Sequence, residues 1–341
     1  MIVLLSGAKK NIGDYLITDR ARRLFDHLLD DEIIILDRFK DLESDLELIN
    51  SARFLVLCGG PAYASDIYKG IYPLVDDLSK IKVPIIPFGL GWCGRPSNPM
   101  EFRFNNDSKR LLDNIHSTVE SSSCRDDITF NVLKNCGYQN ITMTGCPVWY
   151  DIDSIGKDFE AKKSIKKIVF TTAADPKLIK QTYLLMKSVN KYFPDAEITM
   201  SYHRGIFPDK YTTYRATIGY LLMYGTAKLI NRKIKIKDVA YKLDRLDFYD
   251  DCDLHIGYRV HAHLYFLSKR LPSILINEDG RGKGMAQTMN LPVFNIEDND
   301  VARKVDRQLK DYKENNFKSF LETGKYIDRQ FNVMKNFITK L

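Results

Sequence analysis

The chain has 341 residues, of which 44% are hydrophobic and 28% charged, and its formal net charge is +7. This length is typical of two domains, and the composition is globular rather than disordered, fibrous or membrane-spanning. The positive charge suits an anionic ligand or an acidic membrane surface. The sequence lacks the dense Lys/Arg runs of a nucleic-acid binder, so we expect no nucleic-acid partner.

The first apolar segment, Met1 to Ser6, is too short and lacks the basic start of a signal peptide. The longest uncharged apolar run, Ala216 to Ala227, is shorter than the ~20 residues of a spanning helix. We therefore expect a cytoplasmic protein, free or at the inner face of the membrane. The six cysteines lack a C-x-x-C pair, which predicts reduced and mostly buried thiols.

Short β-branched segments alternate with amphipathic ones, which predicts an α/β fold with parallel sheets. The predicted strands are Ile2 to Leu5, Ile33 to Leu36, Phe54 to Leu57, Val83 to Phe88, Ile168 to Thr172, Ile198 to Ser201, Leu254 to Ile256, Ile274 to Ile276 and Val293 to Asn295.

A charged stretch, Asp151 to Lys167, interrupts this alternation. We place an N-terminal α/β domain in residues 1–160 and a C-terminal α/β domain in residues 161–305. Residues 306–341 are expected to form a helical tail that packs back across both domains.

Polar residues and glycines follow several predicted strands, where open α/β sheets bind ligands. Asn11, Gly13 and Asp14 open a helix, either as an ordinary cap or as a ligand site with free amide groups. Gly59 and Gly60 form a turn that permits close approach of backbone to a ligand.

Arg125 follows a strand-like run and precedes a helix. Its guanidinium would bind a carboxylate or a phosphate, or it would pair with the neighbouring Asp126 or Asp127. Lys283 lies in a glycine-rich loop predicted to precede a helix, and would reach an anion at the helix start or remain in a flexible turn.

The segment from Asp253 to His263 predicts a strand, a glycine break and a helix that begins near Val260. Arg259 and His261 fall at the turn, whereas His255 and His263 are interpreted as structural. Residues two apart do not share a helix face, and no third ligand lies at familiar spacing, so we expect no metal.

In this order the motifs resemble the polysaccharide pyruvyl transferase family. They are N-x-G-D-x-L-I at Asn11 to Ile17, the Gly59-Gly60 turn, R-D-x-x-T at Arg125 to Thr129, C-P at Cys146-Pro147 and G-x-R-x-H at Gly257 to His261. The resemblance extends to about Pro292. The family's third glycine after Gly60 is replaced by Pro61.

The resemblance implies two Rossmann-like domains facing a cleft, as in B-type glycosyltransferases, and transfer of a pyruvyl group from phosphoenolpyruvate to sugar hydroxyls as a ketal. No cofactor is implied, and phosphoenolpyruvate is the donor substrate. The N-terminal domain would bind the acceptor, a sugar of a cell-surface glycan or its lipid-linked oligosaccharide precursor. The C-terminal domain would bind the donor.

Carried onto this sequence, the family's donor-binding cations match Arg125, Arg259 and Lys283. His261 is the expected general acid, because histidine titrates near neutrality and the donor's negative charge would favour its protonated form. Asp14 is the candidate that contacts or deprotonates the acceptor hydroxyl. Asn11, Gly13, Gly59 and Gly60 are expected to line the site.

Two other functions stay open: a B-type glycosyltransferase that uses a nucleotide sugar, and a sugar- or headgroup-binding protein without catalysis. The segment from Tyr211 to Leu229 predicts a helix with aromatic and apolar residues, either a core helix or a peripheral membrane contact. The sequence does not indicate an oligomeric state.

Overall fold

The computed structural model describes residues 1–95, 98–159 and 164–341, and its core is two parallel β-sheets flanked by helices. The first sheet has the strand order β2-β1-β3-β4, and a smaller pair, β5-β6, continues it through a bridge between Leu90 and Cys124. The second sheet has the order β12-β11-β10-β7-β8-β9. This confirms the predicted α/β fold class.

The strands of the first half are β1 (Ile2–Ser6), β2 (Ile33–Asp37), β3 (Leu55–Cys58), β4 (Ile85–Phe88), β5 (Ser122–Cys124) and β6 (Ile141–Met143). The strands of the second half are β7 (Lys167–Thr171), β8 (Glu197–Tyr202), β9 (Lys235–Asp238), β10 (Leu254–Gly257), β11 (Ser273–Asn277) and β12 (Phe294–Asn295).

The α-helices are α1 (Ile12–Leu28), α2 (Leu46–Ser51), α3 (Asn106–Thr118), α4 (Asp127–Asn135), α5 (Ile179–Tyr192), α6 (Tyr214–Ile230), α7 (Val260–Ser268), α8 (Gly280–Thr288), α9 (Val301–Glu314) and α10 (Phe320–Thr339).

Two strands of the structure, β9 and β6, are not predicted from the sequence. The strand β9 lies at the edge of its sheet, where Lys235 and Lys237 flank one half-buried isoleucine. This pattern is common in edge strands, but a single apolar residue is a weak sequence signal for a strand. The short strand β6 was also missed. The central strands were predicted because burial on both faces makes them continuously apolar, as in β1, whose residues are all buried.

The two halves share one hydrophobic core, because α1 packs against α7 and the C-terminal helix α10 contacts both. Aromatic pairs extend this contact, with ring centroids 6.2 Å apart for Phe88 and Phe337 and 5.6 Å apart for Tyr150 and Phe331. The domain boundary predicted at residues 160 and 161 lies outside the described residues, and the division into domains stays a prediction.

The helix α6 is apolar on two opposite faces. Tyr220, Met223 and Ala227 are buried against the second sheet, which agrees with a core helix. Tyr214 and Leu222, on the other face, are 79% and 59% exposed. No helix in the described ranges is both long and apolar enough to cross a membrane.

All six cysteines are unpaired, and four of them are buried, as predicted. Burial raises the pKa of Cys58 and of Cys252 to about 12 and that of Cys146 to about 11. Burial also raises the pKa of Cys124 and Cys136.

Gly257 is a glycine that the sheet requires. Its φ is +146°, and an added Cβ would lie 2.2 Å from the carbonyl oxygen of Thr171 on the neighbouring strand. We expect Gly257→Ala to lower the free energy of unfolding by about 1–3 kcal/mol, measured by urea denaturation. In the control, Gly225→Ala in α6, the new Cβ meets nothing within 4 Å, and we expect a gain of up to about 1 kcal/mol. Equal stability of the two variants would contradict this assignment.

Candidate active site

The candidate site lies where the carboxyl ends of the two sheets face each other. In the first sheet the strand order reverses between β1 and β3, and in the second it reverses between β7 and β10. Ligands of open α/β folds bind at such switch points because the adjacent loops separate to opposite faces of the sheet and leave a crevice.

One cavity lies at this position. Its lining comes from both halves of the chain: Asn11, Pro61, Arg125, His203, Arg204, Tyr258, Arg259, Val260, His261, Glu278, Asp279, Arg281 and Met285. The structure therefore brings together four of the residues predicted from the sequence, namely Asn11, Arg125, Arg259 and His261.

Three helices begin at this cavity. Residues of the first turn or the cap of α1, α7 and α8 line it, through Asn11, Arg259 and Asp279 respectively. The first amide groups of a helix have no acceptor within the helix and carry partial positive charge. The cavity therefore favours an anion even before its charged side chains are considered.

His261 is held between the two halves of the protein. An ideal Cβ on Gly13 would lie 2.4 Å from the ring atom Nδ1, so α1 can approach α7 this closely only with glycine at position 13. The other ring nitrogen, Nε2, is buried and has no hydrogen-bond partner among the described residues. Burial, with the positive charges of Arg125 and Arg281, lowers the pKa of His261 to about 3.

Arg259 caps the first turn of α7, with its backbone amide donating to Thr171 Oγ1. Its guanidinium lies 3.4 Å from a carboxylate oxygen of Glu278, whereas Nε is buried without a partner in the described part of the chain. Burial lowers the pKa of Arg259, although the charge of Glu278 opposes this shift. A buried donor without an acceptor is a place where a ligand oxygen would be stabilised.

Arg125 forms the ion pair with Asp126 that the sequence left as one alternative, and whether it binds a ligand stays a prediction. Its Nε donates to Asp126 at 3.0 Å and its Nη2 donates to the carbonyl of Trp92 at 3.3 Å, yet the side chain also lines the cavity. Only 1% of Arg125 is exposed. Its guanidinium lies against the backbone of Gly91, where a Cβ would come within 2.1 Å of it.

Asp14 does not line the cavity but lies in the first turn of α1 beside it, where it accepts a hydrogen bond from Asn11 Nδ2 at 3.2 Å. Burial raises its pKa, although Arg38, Arg281 and Arg204 pull in the opposite direction. Its carboxyl is thus within electrostatic range of cations that surround the cavity.

The turn at Gly59 and Gly60 has a structural explanation. Both glycines have positive φ, and a Cβ on Gly59 would lie 2.1 Å from the side chain of Ile17. Neither glycine lines the cavity, whereas the next residue, Pro61, does. Pro61 is therefore the residue of this turn that reaches the cavity.

Lys283 is separate from the other predicted cations. The glycine-rich segment is not a loop but the first turns of α8, which begins at Gly280 with Asp279 as its cap. Two residues apart on a helix do not face the same way, so Lys283 is exposed on one side while Arg281 lines the cavity. Arg281 is thus the cation that this segment supplies to the cavity.

The helical form of this segment explains its glycines. A Cβ on Gly282 would lie 2.0 Å from Asn277 Oδ1, and a Cβ on Gly284 would lie 3.0 Å from the carboxyl of Asp126. The glycines allow α8 to lie close to both β11 and the first half of the chain.

Two further cavity residues, His203 and Arg204, were not identified from the sequence. They follow β8, and the rule that selected the other turns would have selected this one as well. His203 is buried, and its Nε2 lies 2.8 Å from the hydroxyl of Tyr249. Its pKa is far below the usual value, first because of burial and then because of Arg259.

The interpretation of the other histidines as structural is confirmed, since His255 Nδ1 and His263 Nδ1 each lie 2.7 Å from Ser273 Oγ. Within residues 1–95, 98–159 and 164–341, no group of three or more His, Cys, Asp or Glu side chains is placed to hold a metal ion.

A second, larger cavity of ≈ 570 Å³ shares Glu278 and Asp279 with the first. Trp92 and Arg95 line it from the first half of the chain, and Asn277 and Lys283 line it from the second. The Oδ1 atom of Asn277 is buried and has no partner in the described ranges.

Solved structures with a similar fold cover the whole chain at low sequence identity. S. aureus MnaA, solved with UDP, has a TM-score of 0.57 and 12% identity over 100% of this chain and 97% of its own. Neisseria meningitidis UDP-GlcNAc 2-epimerase, bound to UDP-GlcNAc, has a TM-score of 0.56 and 11% identity over 100% of both chains. Anabaena Alr3699/HepE, in complex with UDP and glucose, has a TM-score of 0.51 and 10% identity over 100% and 97%.

These structures confirm the B-type glycosyltransferase fold that the sequence motifs imply. A comparison with curated protein sequences finds no match. The family model of polysaccharide pyruvyl transferase matches residues 11–280, which include all the motif residues lining the cavity. The chain belongs to the polysaccharide pyruvyl transferase family.

Proposed function

We propose that this protein transfers a pyruvyl group from phosphoenolpyruvate to two hydroxyls of a sugar, forming a ketal on a cell-surface glycan or its precursor. The observation that carries the proposal is the small cavity between the sheets, where Arg125, Arg259 and Arg281 meet the N-termini of three helices. Membership of the family supports the reaction type.

The charge of the cavity suits this donor. Phosphoenolpyruvate has a phosphate and a carboxylate on three carbons, so it needs several cations in a small volume. Each charge-assisted hydrogen bond contributes ~1.5–3 kcal/mol, and Arg259 Nε is a buried donor that such an oxygen would satisfy. Each of the three arginines also faces a carboxylate, since Arg125 pairs with Asp126, Arg259 with Glu278 and Arg281 with Asp279, so part of the positive charge is neutralised within the protein.

His261 is the proposed acid, although its pKa in the protein itself is low. Its pKa of about 3 makes it neutral near pH 7. A donor with about three negative charges would offset the two nearby arginines and raise the pKa, so the histidine would gain its proton when the donor binds. This makes the acid available only in the donor complex.

The proposed reaction then proceeds in three steps. His261 protonates the methylene carbon of the donor, an acceptor hydroxyl attacks the adjacent carbon, and a second hydroxyl closes the ring as phosphate leaves. One hydroxyl proton restores His261 and the other departs with hydrogen phosphate, so atoms and charge balance. General acid–base assistance of this kind contributes ~10²–10⁴-fold.

The second cavity is the proposed acceptor site, because Glu278 and Asp279 line both it and the first cavity, which is the proposed donor cavity. Its lining of indole, amide and carboxylate groups offers both an apolar face and hydrogen-bonding groups to a sugar. Asp14 lines neither cavity but lies in the first turn of α1, and it stays the proposed group that contacts or deprotonates the acceptor hydroxyl.

The fold leaves a second candidate, transfer or conversion of a nucleotide sugar. S. aureus MnaA and Anabaena Alr3699/HepE were solved with UDP, and cations at helix N-termini would also bind a diphosphate. Similar folds host unrelated reactions, so the donor has to be determined by binding.

Thermal unfolding with phosphoenolpyruvate, UDP and UDP-sugars tests the donor class. We expect stabilisation by phosphoenolpyruvate alone, because a ligand that binds only the folded state raises the apparent stability. In Arg281→Ala, affinity should fall about 10- to 100-fold through loss of a charge-assisted bond. Lys283→Ala, two residues away on the same helix, is the matched control and should bind as the wild type does. Stabilisation by UDP compounds alone would replace this proposal with the second candidate.

Proton uptake tests the role of His261. Calorimetric titration with phosphoenolpyruvate at pH 8, where its phosphate is already deprotonated (second pKa about 6), is performed in two buffers of different ionisation enthalpy. Because the pKa is about 3 in the free protein and raised in the complex, binding should take up protons, and affinity should fall as pH rises between the two values. The uptake should be absent in His261→Gln. Identical apparent enthalpies in both buffers for the wild type would count against His261 as the acid.

A further inference from the structure

The exposed face of α6 forms an apolar stripe next to the donor cavity. Its members share one side of the helix or the segment that precedes it: Phe207, Tyr211, Tyr214, Ile218, Leu221, Leu222 and Leu229. Phe207 is 66% exposed, and Ile218 and Leu229 are 60% and 82% exposed. Contiguous exposed apolar surface of this kind on a folded protein indicates an interaction site.

The opposite face of α6 packs inside the protein, since Met223 and Ala227 are buried in the shared core. A helix that is apolar on all sides is normally buried on all sides. With 17 residues, α6 is about 25 Å long, so the stripe extends well beyond a chance exposed side chain.

The residues around the stripe are positively charged, which indicates that it binds a negatively charged surface. Residues 210–237 contain seven Lys and Arg and no Asp or Glu, so the formal charge of this segment equals that of the whole chain, +7. The adjacent helix α5 has exposed Tyr183 and Leu184, and residues 176–194 around it contain four lysines and no acid. Of the cations in the first segment, Lys235 pairs with Glu197 at 2.7 Å.

We propose that α6 and the segment before it dock on a bilayer surface that contains anionic lipids. Aromatic and aliphatic side chains enter the headgroup boundary while the flanking cations contact lipid phosphates, as in interfacial amphipathic helices. The partner is identified by charge complementarity, because a second copy of this chain would oppose one positive surface with another.

The position of this surface relative to the donor cavity is fixed by hydrogen bonds. Arg204 lines the cavity, and Phe207 follows three residues later. Within the same segment, Thr212 Oγ1 accepts from Lys10 Nζ, and Lys10 also pairs with Asp209 at 2.7 Å. Docking would therefore place the mouth of the cavity close to the lipid headgroups, where a membrane-borne acceptor is presented.

Cosedimentation with vesicles tests the docking. We expect the wild type to bind phosphatidylcholine vesicles that contain phosphatidylserine, and to bind pure phosphatidylcholine weakly. Binding should weaken with added salt, because the charges are exposed. Ile218→Ser/Leu222→Ser should lower the partition coefficient about tenfold or more through loss of buried apolar area. Both side chains are mostly exposed, so this variant should fold.

The matched control is Leu321→Ser, which replaces an exposed leucine of α10 outside the stripe and should bind vesicles as the wild type does. No binding to anionic vesicles, or undiminished binding by the double variant, would overturn the proposal. So would a halved molar mass of the double variant in light scattering, which would show that a second copy covers the stripe. Stabilisation by phosphoenolpyruvate should persist in the double variant, so failure of docking and failure of the proposed reaction are distinguishable.

Discussion

His261 lies against Gly13, and this contact joins the N-termini of α1 and α7 across the two halves of the chain. The carboxyl ends of both sheets can approach each other only because position 13 has no side chain. Beside this contact Arg125 is buried and Arg259 is partly buried, and the Arg259 Nε and His261 Nε2 atoms have no partners in the described residues. The cavity thus combines positive charge, helix N-termini and the unpaired donor Arg259 Nε, and each of these features favours an anionic ligand.

Much of this arrangement could be predicted because it depends on local patterns. Buried strands are continuous apolar runs, and the polar turns that follow them mark one edge of a parallel sheet. Arg125, Arg259 and His261 were found in this way, since each lies within four residues of the end of a strand. Their order along the chain matches the motifs of the family, and this resemblance then implied a shared role for them.

What could not be predicted depends on helix phase and on packing between the halves. The glycine-rich segment is typical of a loop in sequence, but it forms the helix α8 with Asp279 as the N-cap. The phase of this helix places Arg281, and not Lys283, at the smaller cavity. The depressed pKa of His261 results from burial between elements distant in sequence. The structural role of Gly59 depends on Ile17, which sequence alone does not place beside it.

Burial of the other thiols affects how Cys93 could be used for chemical labelling. Burial raises the pKa of Cys58, Cys124, Cys136, Cys146 and Cys252, so little thiolate forms there for an alkylating reagent. Cys93 is half-exposed and lies between Trp92 and Gly94 at the larger cavity. A fluorophore attached there would report from the larger cavity, once Cys136, the other half-exposed thiol, is replaced.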